Sequence, residues 1–316
     1  MVKYREETLY SKETKGRETM TNKEKSAELV SKWVHVFSCP VCNSPMKVVD
    51  LKSLICLNNH TFDFAKQGYV NMMTRSVDSH YDKKLFEARQ KIIMESNLYK
   101  PLHAWVANVI KEHLKLIKGP VMVFDAGCGE GSHLQRIIAE CKNEAITGLG
   151  LDISKEGIRM AAGNYEDSIW LVGDLANSPL ADHSCYVILN ILSPANYFEF
   201  KRILVPDGLI VKVVPRANYL EELREAFYDN TDKSVYNNNE TVSLFKQHFH
   251  LVDIISLNYT KELTKTELTN FVQMTPLTWN LNREQLDKFT NQGTTKITID
   301  LDILVGINKQ TKREEE

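Results

Sequence analysis

Residues 121–131 read Val-Met-Val-Phe-Asp-Ala-Gly-Cys-Gly-Glu-Gly, an apolar run that ends in an acid and passes into three alternating glycines. A short apolar run bounded by turn residues suits a strand buried on both faces. Alternating glycines let the backbone turn sharply and approach a ligand that a Cβ would block, before a helix opens at Ser132. The rest of the chain repeats this grammar. Apolar strands are expected at 121–124, 145–151, 169–172, 186–192 and 209–214, separated by helical segments, which predicts a parallel α/β sheet. Two alternating segments, 250–258 and 298–305, suit a terminal hairpin closing one edge. In such sheets ligands bind at the carboxyl ends of the strands, which is where the glycines lie.

A second constraint comes earlier. Cys39, Cys42, Cys56 and His60 form C-x2-C-x13-C-x3-H, and three thiolates with one imidazole are what a tetrahedral zinc ion requires. Four protein ligands close the site, so the metal is structural rather than catalytic. Strand-like Lys47-Val-Val49 and Leu54-Ile55, with the Asn58-Asn59 turn, place the two ligand pairs about one hairpin apart. Cys128, Cys141 and Cys185 show no spacing that suggests pairing and read as packing residues in a reducing compartment.

At 316 residues with 43% hydrophobic and 25% charged content, the chain suits a small module plus one core-rich soluble domain. No apolar run reaches membrane-spanning length and the first residues lack a signal peptide's apolar stretch, so a cytoplasmic protein without membrane partners is expected. The net charge of −2 hides an asymmetry: residues 32–118 carry 13 Lys/Arg against 7 Asp/Glu, and residues 119–316 carry 19 against 28. A basic module on an acidic body permits polyanion binding, although solvated faces also accumulate lysine. The expected organisation is a flexible lead over 1–32 with a short helix near its end, a zinc module over 33–73, a helical linker over 74–118, an α/β domain over 119–308 and a tail over 309–316. Met20 offers an alternative start.

The glycine loop departs from the dinucleotide pattern G-x-G-x-x-G, whose third position here is Ser132. Asp125-x-Gly127-x-Gly129-x-Gly131 instead resembles motif I of the class I S-adenosylmethionine methyltransferases. Asp152 ends the next strand, where a carboxylate can accept both ribose hydroxyls or cap the following helix. Asp174 follows the third strand, where that family places its adenine-contacting acid. The fourth strand ends in Asn190-Ile-Leu-Ser193-Pro194, which is neither the motif of exocyclic-amine methylation nor the Pro-Cys of cytosine C5 methylation. Asn190 and Ser193 are candidates for orienting a substrate, or for packing the strand end against the loop. The catalytic chemistry is otherwise positional, because a sulfonium already carries a good leaving group.

His60-Thr-Phe-Asp-Phe-Ala-Lys-Gln-Gly-Tyr-Val-Asn71 runs directly out of the metal ligands and resembles the signature of the RlmA/RrmA/TlrB family of 23S rRNA (guanine-N1)-methyltransferases. Glu87-Ala-Arg89, Asn97-Leu-Tyr-Lys-Pro-Leu102, the glycine loop and Met274-Thr-Pro276 match later blocks of that family, from about residue 33 to 307. The resemblance implies a Rossmann-like, mostly parallel seven-stranded sheet behind a small N-terminal zinc-binding module. It implies methylation of N1 of a guanine in a 23S rRNA hairpin lining the peptide exit tunnel, by a homodimer whose zinc modules grip the RNA. In some relatives that modification affects macrolide sensitivity. It further implies cofactor contacts from Tyr99, Gly131, Ser132 and Tyr219, although relatives often carry His in place of Tyr219 and residues 79–84 depart from the usual block. Guanine N1 lies on the Watson–Crick edge, so the base must be unpaired or flipped. Tyr69, Trp105, Tyr197 and Trp279 are stacking candidates or core residues, and the group that takes the N1 proton is unidentified. A transferase acting on tRNA or a small molecule through a zinc adaptor, and a SAM-responsive RNA-binding protein, are the alternatives.

Overall fold

Helix α1 (Asn22–Lys32) opens the computed structural model, which describes residues 20–76, 81–228, 237–279, 281–291 and 293–309. Thr21 and Glu24 cap it reciprocally, each side chain accepting from the other's backbone N–H. The lead expected to be flexible over 1–32 is therefore helical from Asn22; residues 1–19, like 77–80 of the linker and 310–316 of the tail, lie outside the described residues.

Three short antiparallel strands build the cysteine module: β1 (Met46–Val49), β2 (Ser53–Cys56) and β3 (Thr61–Asp63), in that order. A fourth, β4 (Val70–Asn71), leaves the module and joins the main sheet. Helices α2 (Lys83–Gln90) and α3 (Lys100–Leu114) follow, separated by a wide turn over Lys91–Glu95 and by Asn97 at positive φ, which is the expected break before Pro101.

The α/β alternation then runs β5 (Val121–Ala126), α4 (Ser132–Cys141), β6 (Ile146–Asp152), α5 (Lys155–Asn164), β7 (Ser168–Val172), β8 (Cys185–Ile191), α6 (Tyr197–Ile203) and β9 (Leu204–Pro215). After α7 (Glu221–Tyr228) and α8 (Asn239–His248) come β10 (His250–Leu263), α9 (Lys265–Met274), α10 (Arg283–Thr290) and β11 (Thr295–Ile307). The sheet order is β10-β11-β9-β8-β5-β6-β7-β4. The strands β9, β8, β5, β6, β7 and β4 run parallel to their neighbours, while β11 pairs antiparallel with both β9 and β10. The expected terminal hairpin is present and closes the β9 edge. Seven long strands match the expected number, and two-residue β4 adds an eighth at the opposite edge.

Every residue of β5 is buried, as a strand covered on both faces requires. One face packs against α3, α4, α5 and α9, through Leu102, Val106, Leu134, Ile158 and Phe271. The other face is closed in part by the cysteine module: Val36, Phe37, Cys39, Leu54 and Cys56 share one buried cluster with Met122, Phe124, Leu149 and Leu171. Backbone bonds stitch the two together. Ser38 N–H donates to Pro179 O at 3.1 Å, Ala181 N–H to Val36 O at 2.8 Å and Met72 N–H to Val172 O at 2.8 Å. A module that reads as separate along the chain thus supplies part of the wall of the sheet.

Candidate functional site

Asn43, just after the first ligand pair, and Asn59, between Cys56 and His60, are both at positive φ and turn the chain so that the donor atoms of Cys39, Cys42, Cys56 and His60 face one another. All four lie within 4.8 Å of one another, with Cys39 Sγ 3.6 Å and Cys56 Sγ 3.4 Å from His60 Nδ1, and 3.7 Å between the Sγ atoms of Cys42 and Cys56. A tetrahedron of Zn–S bonds of about 2.3 Å and a Zn–N bond of about 2.0 Å has edges of this size. The His60 backbone N–H donates to Cys56 Sγ at 3.3 Å, the kind of outer contact that steadies a metal thiolate. The donor set fits zinc. Cys128, Cys141 and Cys185 are buried elsewhere, and burial pushes their thiols up, to about 11 for Cys141 and about 12 for Cys185.

At the second locus, Gly127, Gly129 and Gly131 have φ of 83°, 59° and 80°, the left-handed region that a glycine enters without strain. Space matters as well at two of them. A Cβ on Gly127 would stand 2.8 Å from Ser193 Cβ, and one on Gly131 would stand 2.3 Å from the ring of the fully buried Trp170. Asp152 braces the turn: Oδ2 accepts from Gly129 N–H and Oδ1 from Ser154 N–H, each at 2.8 Å. The helix cap is Ser154 itself, whose hydroxyl accepts from Gly157 N–H. Carboxylate oxygens have further acceptor capacity, so Asp152 remains able to take ribose hydroxyls.

Along the chain, residues 37–75 match the zinc-ribbon family described as "RlmA, N-terminal", and residues 123–208 match a methyltransferase domain. A Bacillus subtilis (strain 168) protein named "Putative 23S rRNA (guanine-N(1)-)-methyltransferase YxjB" is 38% identical over 274 residues, covering 86% of this chain and 97% of that protein. The "23S rRNA (guanine(748)-N(1))-methyltransferase" of Streptomyces fradiae is 32% identical over 254 residues, covering 80% and 89%. This chain belongs to the 23S rRNA (guanine-N1)-methyltransferase family. Its fold is the class I SAM-dependent methyltransferase fold with an N-terminal zinc ribbon, and the family's cofactor is S-adenosylmethionine.

The family's expected cofactor contacts gather around the glycine loop. Tyr99 and Tyr219, distant in sequence, share a hydrogen bond between their hydroxyls at 2.8 Å. Tyr99 also stands edge-on to His133 of α4, ring centroids 5.3 Å apart. Ser132 is fully buried with its hydroxyl 3.0 Å from that of Tyr165, so its side chain braces α4 against the chain that follows α5. Asp174 is partly exposed; its Oδ2 pairs with Arg75, just beyond the cysteine module, at 3.2 Å, and its Oδ1 accepts from Ala176 N–H. Asp125 is buried, and burial pushes its carboxyl up to about 7 against the pull of Arg89.

Asn190 and Ser193, the candidates for substrate orientation or strand-end packing, are hydrogen-bonded within the protein. Asn190 is fully buried and its amide donates to Ala126 O at 2.9 Å, to Pro194 O at 2.9 Å and to Ser193 Oγ at 2.6 Å. Ser193 Oγ donates to Ala126 O at 2.8 Å, and Lys212 Nζ donates to Asn190 Oδ1 at 2.5 Å. Both side chains pin the end of β8 to the end of β5, which is the packing role named for them. Lys212 is a charged residue that sequence reading missed, and Arg89, read there only as part of a family block, is one whose place it did not give. Burial lowers Lys212 to about 8, and only strand register puts it beside Asn190. Arg89 Nε lies 2.8 Å from Glu130 Oε2, so the Glu-Ala-Arg block and the glycine loop meet in space. Of the stacking candidates, Tyr69 and Tyr197 are core, whereas Trp105 and Trp279 are 47% and 44% exposed.

Proposed function

We propose that this protein transfers the methyl group of S-adenosylmethionine to N1 of a guanine in a hairpin of 23S rRNA, in the region lining the peptide exit tunnel. The observation that carries the reading is the 32–38% identity, across four fifths or more of the chain, with proteins named 23S rRNA (guanine-N1)-methyltransferases, beside the zinc-ribbon match over residues 37–75. When bound, the cofactor supplies an electrophilic methyl on a sulfonium, and the residues of this chain bind, orient and exclude water. The three glycines let the loop turn tightly against Ser193 and Trp170 at the β5 end, Asp152 holds the loop and offers acceptors for hydroxyls, and Tyr99 with Tyr219 supplies further contacts to the cofactor. Asp174, just beyond the end of β7, reads the adenine amine in this proposal.

A surface suited to an extruded base lies beside this loop. Tyr81 and Trp279 pack edge-to-face with centroids 5.4 Å apart and are 40% and 44% exposed. Tyr81 also lies against Phe86, whose ring is 3.5 Å from the Cβ position of Gly129. An exposed aromatic pair at the rim of the cofactor loop can stack a flipped guanine. The module over 33–73, which opens the basic stretch 32–118, is the RNA-recognition part in this reading, and the active form is a cytoplasmic homodimer. Among the described residues no helix is long and apolar enough to cross a membrane.

The test is transfer of labelled methyl to 23S rRNA from a strain lacking the gene, followed by primer extension. A stop at a single hairpin guanine is expected. Labelling of tRNA alone, or a stop outside a hairpin, would overturn the reading.

A further inference from the structure

Strand β10 ends the main sheet, and its outer side is bare: among the described residues no strand pairs with it there and no backbone group outside β11 bonds to it. Asp300 O of β11 accepts from Arg216 N–H at 2.9 Å, so the even-numbered residues of β11 turn their backbone groups toward β9 and the odd-numbered ones toward β10. Tyr259 lies opposite Ile299 and Leu257 opposite Leu301, which leaves Ile254, Ser256, Asn258, Thr260 and Glu262 presenting N–H and C=O groups outward. Ile254 bears this out, because the acceptor for its N–H is the carboxylate of its own neighbour, Asp253 Oδ1, at 2.8 Å. Long free edges are normally blunted by proline, bulges or charge. β10 is 14 residues long and holds no proline, its register shift is confined to Leu251/Asp253 at the start, and Val252 and Ile254 are 57% and 36% exposed on it.

The strand's own residues select its occupant. An edge that pairs with its copy about a two-fold axis in the sheet runs antiparallel, and outward-turned residues must then face outward-turned residues. Centring the axis on Leu257 meets that condition, with Ile254 opposite Thr260 and Ser256 opposite Asn258. The same register sets Asp253 opposite Lys261 in both halves, Ile255 opposite Tyr259 and Leu257 opposite its own copy, with no like charges opposed. Lys261 Nζ donates to Ser96 O, and an ammonium keeps two further donors for a facing carboxylate. An unrelated strand has no reason to carry this pattern, whereas a second copy carries it by symmetry. We propose that β10 pairs with β10 of a second copy of this chain, antiparallel about Leu257, so that two sheets become one. The proposal rests on the homodimer reading above and gives it an interface.

Sedimentation velocity on the full-length, zinc-loaded protein over a concentration series tests it, and the wild type should sediment as a dimer. Asp253→Lys opposes like charges at two symmetric positions and should raise the dimer dissociation constant about tenfold or more. Adding Lys261→Asp to that variant restores opposite charges and should bring the constant back to within about threefold of wild type. Thr260→Pro deletes an outward N–H without touching the ladder to β11, and should give a monomer whose far-UV circular dichroism matches that of the wild type. Wild-type protein that stays monomeric would overturn this proposal and the homodimer part of the reading, and leaves methyl transfer to rRNA to its own assay. A dimer that tolerates both Asp253→Lys and Thr260→Pro, or a double variant no tighter than Asp253→Lys, would overturn the β10 interface alone.

Discussion

The zinc cluster and the cofactor loop make opposite use of the chain. All four metal donors fall between Cys39 and His60 and are aimed by two local turns, so the site is complete within one small three-stranded unit. The candidate cofactor locus gathers Tyr99 from the start of α3, the glycines and Asp152 from two adjacent strand ends and Tyr219 from beyond β9, with Arg89 of α2 against the loop. Yet the local site is not independent of the distant one. Its cysteines share a buried cluster with Phe124 and Leu149, and Arg75 reaches Asp174 on the rim of the cofactor region. Local chelation here holds up one wall of a non-local site.

That comparison breaks most visibly if zinc can be removed without consequence for the sheet. Stripping zinc with a chelator, or Cys56→Ser, should lower stability by several kcal/mol, on the order of 10 °C in Tm, because metal binding and folding of such modules are one equilibrium. Scanning calorimetry with metal analysis checks this, and cofactor affinity should fall together with zinc content. A ribbon that melts while the α/β domain keeps its transition and its cofactor affinity would make the module autonomous.

Gly131→Ala probes the cofactor side. The variant must accept φ of 80° and a Cβ 2.3 Å from the Trp170 ring, a cost of about 3 kcal/mol from strain and overpacking together. Denaturant unfolding measures it, and zinc content should not change.

Lys212 gives a pH signature that the zinc module lacks. Its folded pKa, pushed down to about 8 by burial, lies below the unfolded value, so above pH 8 the unfolded chain binds more protons and stability rises with pH. Below about pH 8 the penalty is fully present, and it is relieved up to the unfolded lysine value, at a slope approaching about 1.4 kcal/mol per pH unit. Lys212→Met should flatten that rise in urea midpoints measured between pH 7.5 and 10. An unchanged slope would mean that the ammonium is not buried in solution.

The smallest effect is expected at the exposed contact between the two regions. Arg75→Ala removes an ion pair whose arginine is 73% accessible, and double-mutant coupling with Asp174→Ala should stay under about 1 kcal/mol. A larger coupling would mean that the rim is held by charge rather than by the shared core.

Residue order alone was enough for the zinc ligands, the strand that feeds the glycine loop, the break before α3 and the terminal hairpin, because each depends on spacing and turn chemistry over a few residues. It was enough also for the family, since the motifs stand in an order that unrelated chains do not share. Asn190 shows where such reading stops. A polar residue at a substrate-facing strand end and one that bolts two strands together look alike until Ala126 O, Pro194 O and Lys212 are seen around it. Arg89 shows the converse: along the chain it is one residue of the Glu-Ala-Arg block with no stated role, and folding sets it over Gly129 in an ion pair with Glu130. Short-range chemistry was determined by the sequence itself, because local turns and chelation involve neighbours. The docking of the ribbon onto the sheet and the partners of Asn190, Lys212 and Arg89 were decided only by tertiary structure, because burial and partnership depend on residues that the chain holds far apart.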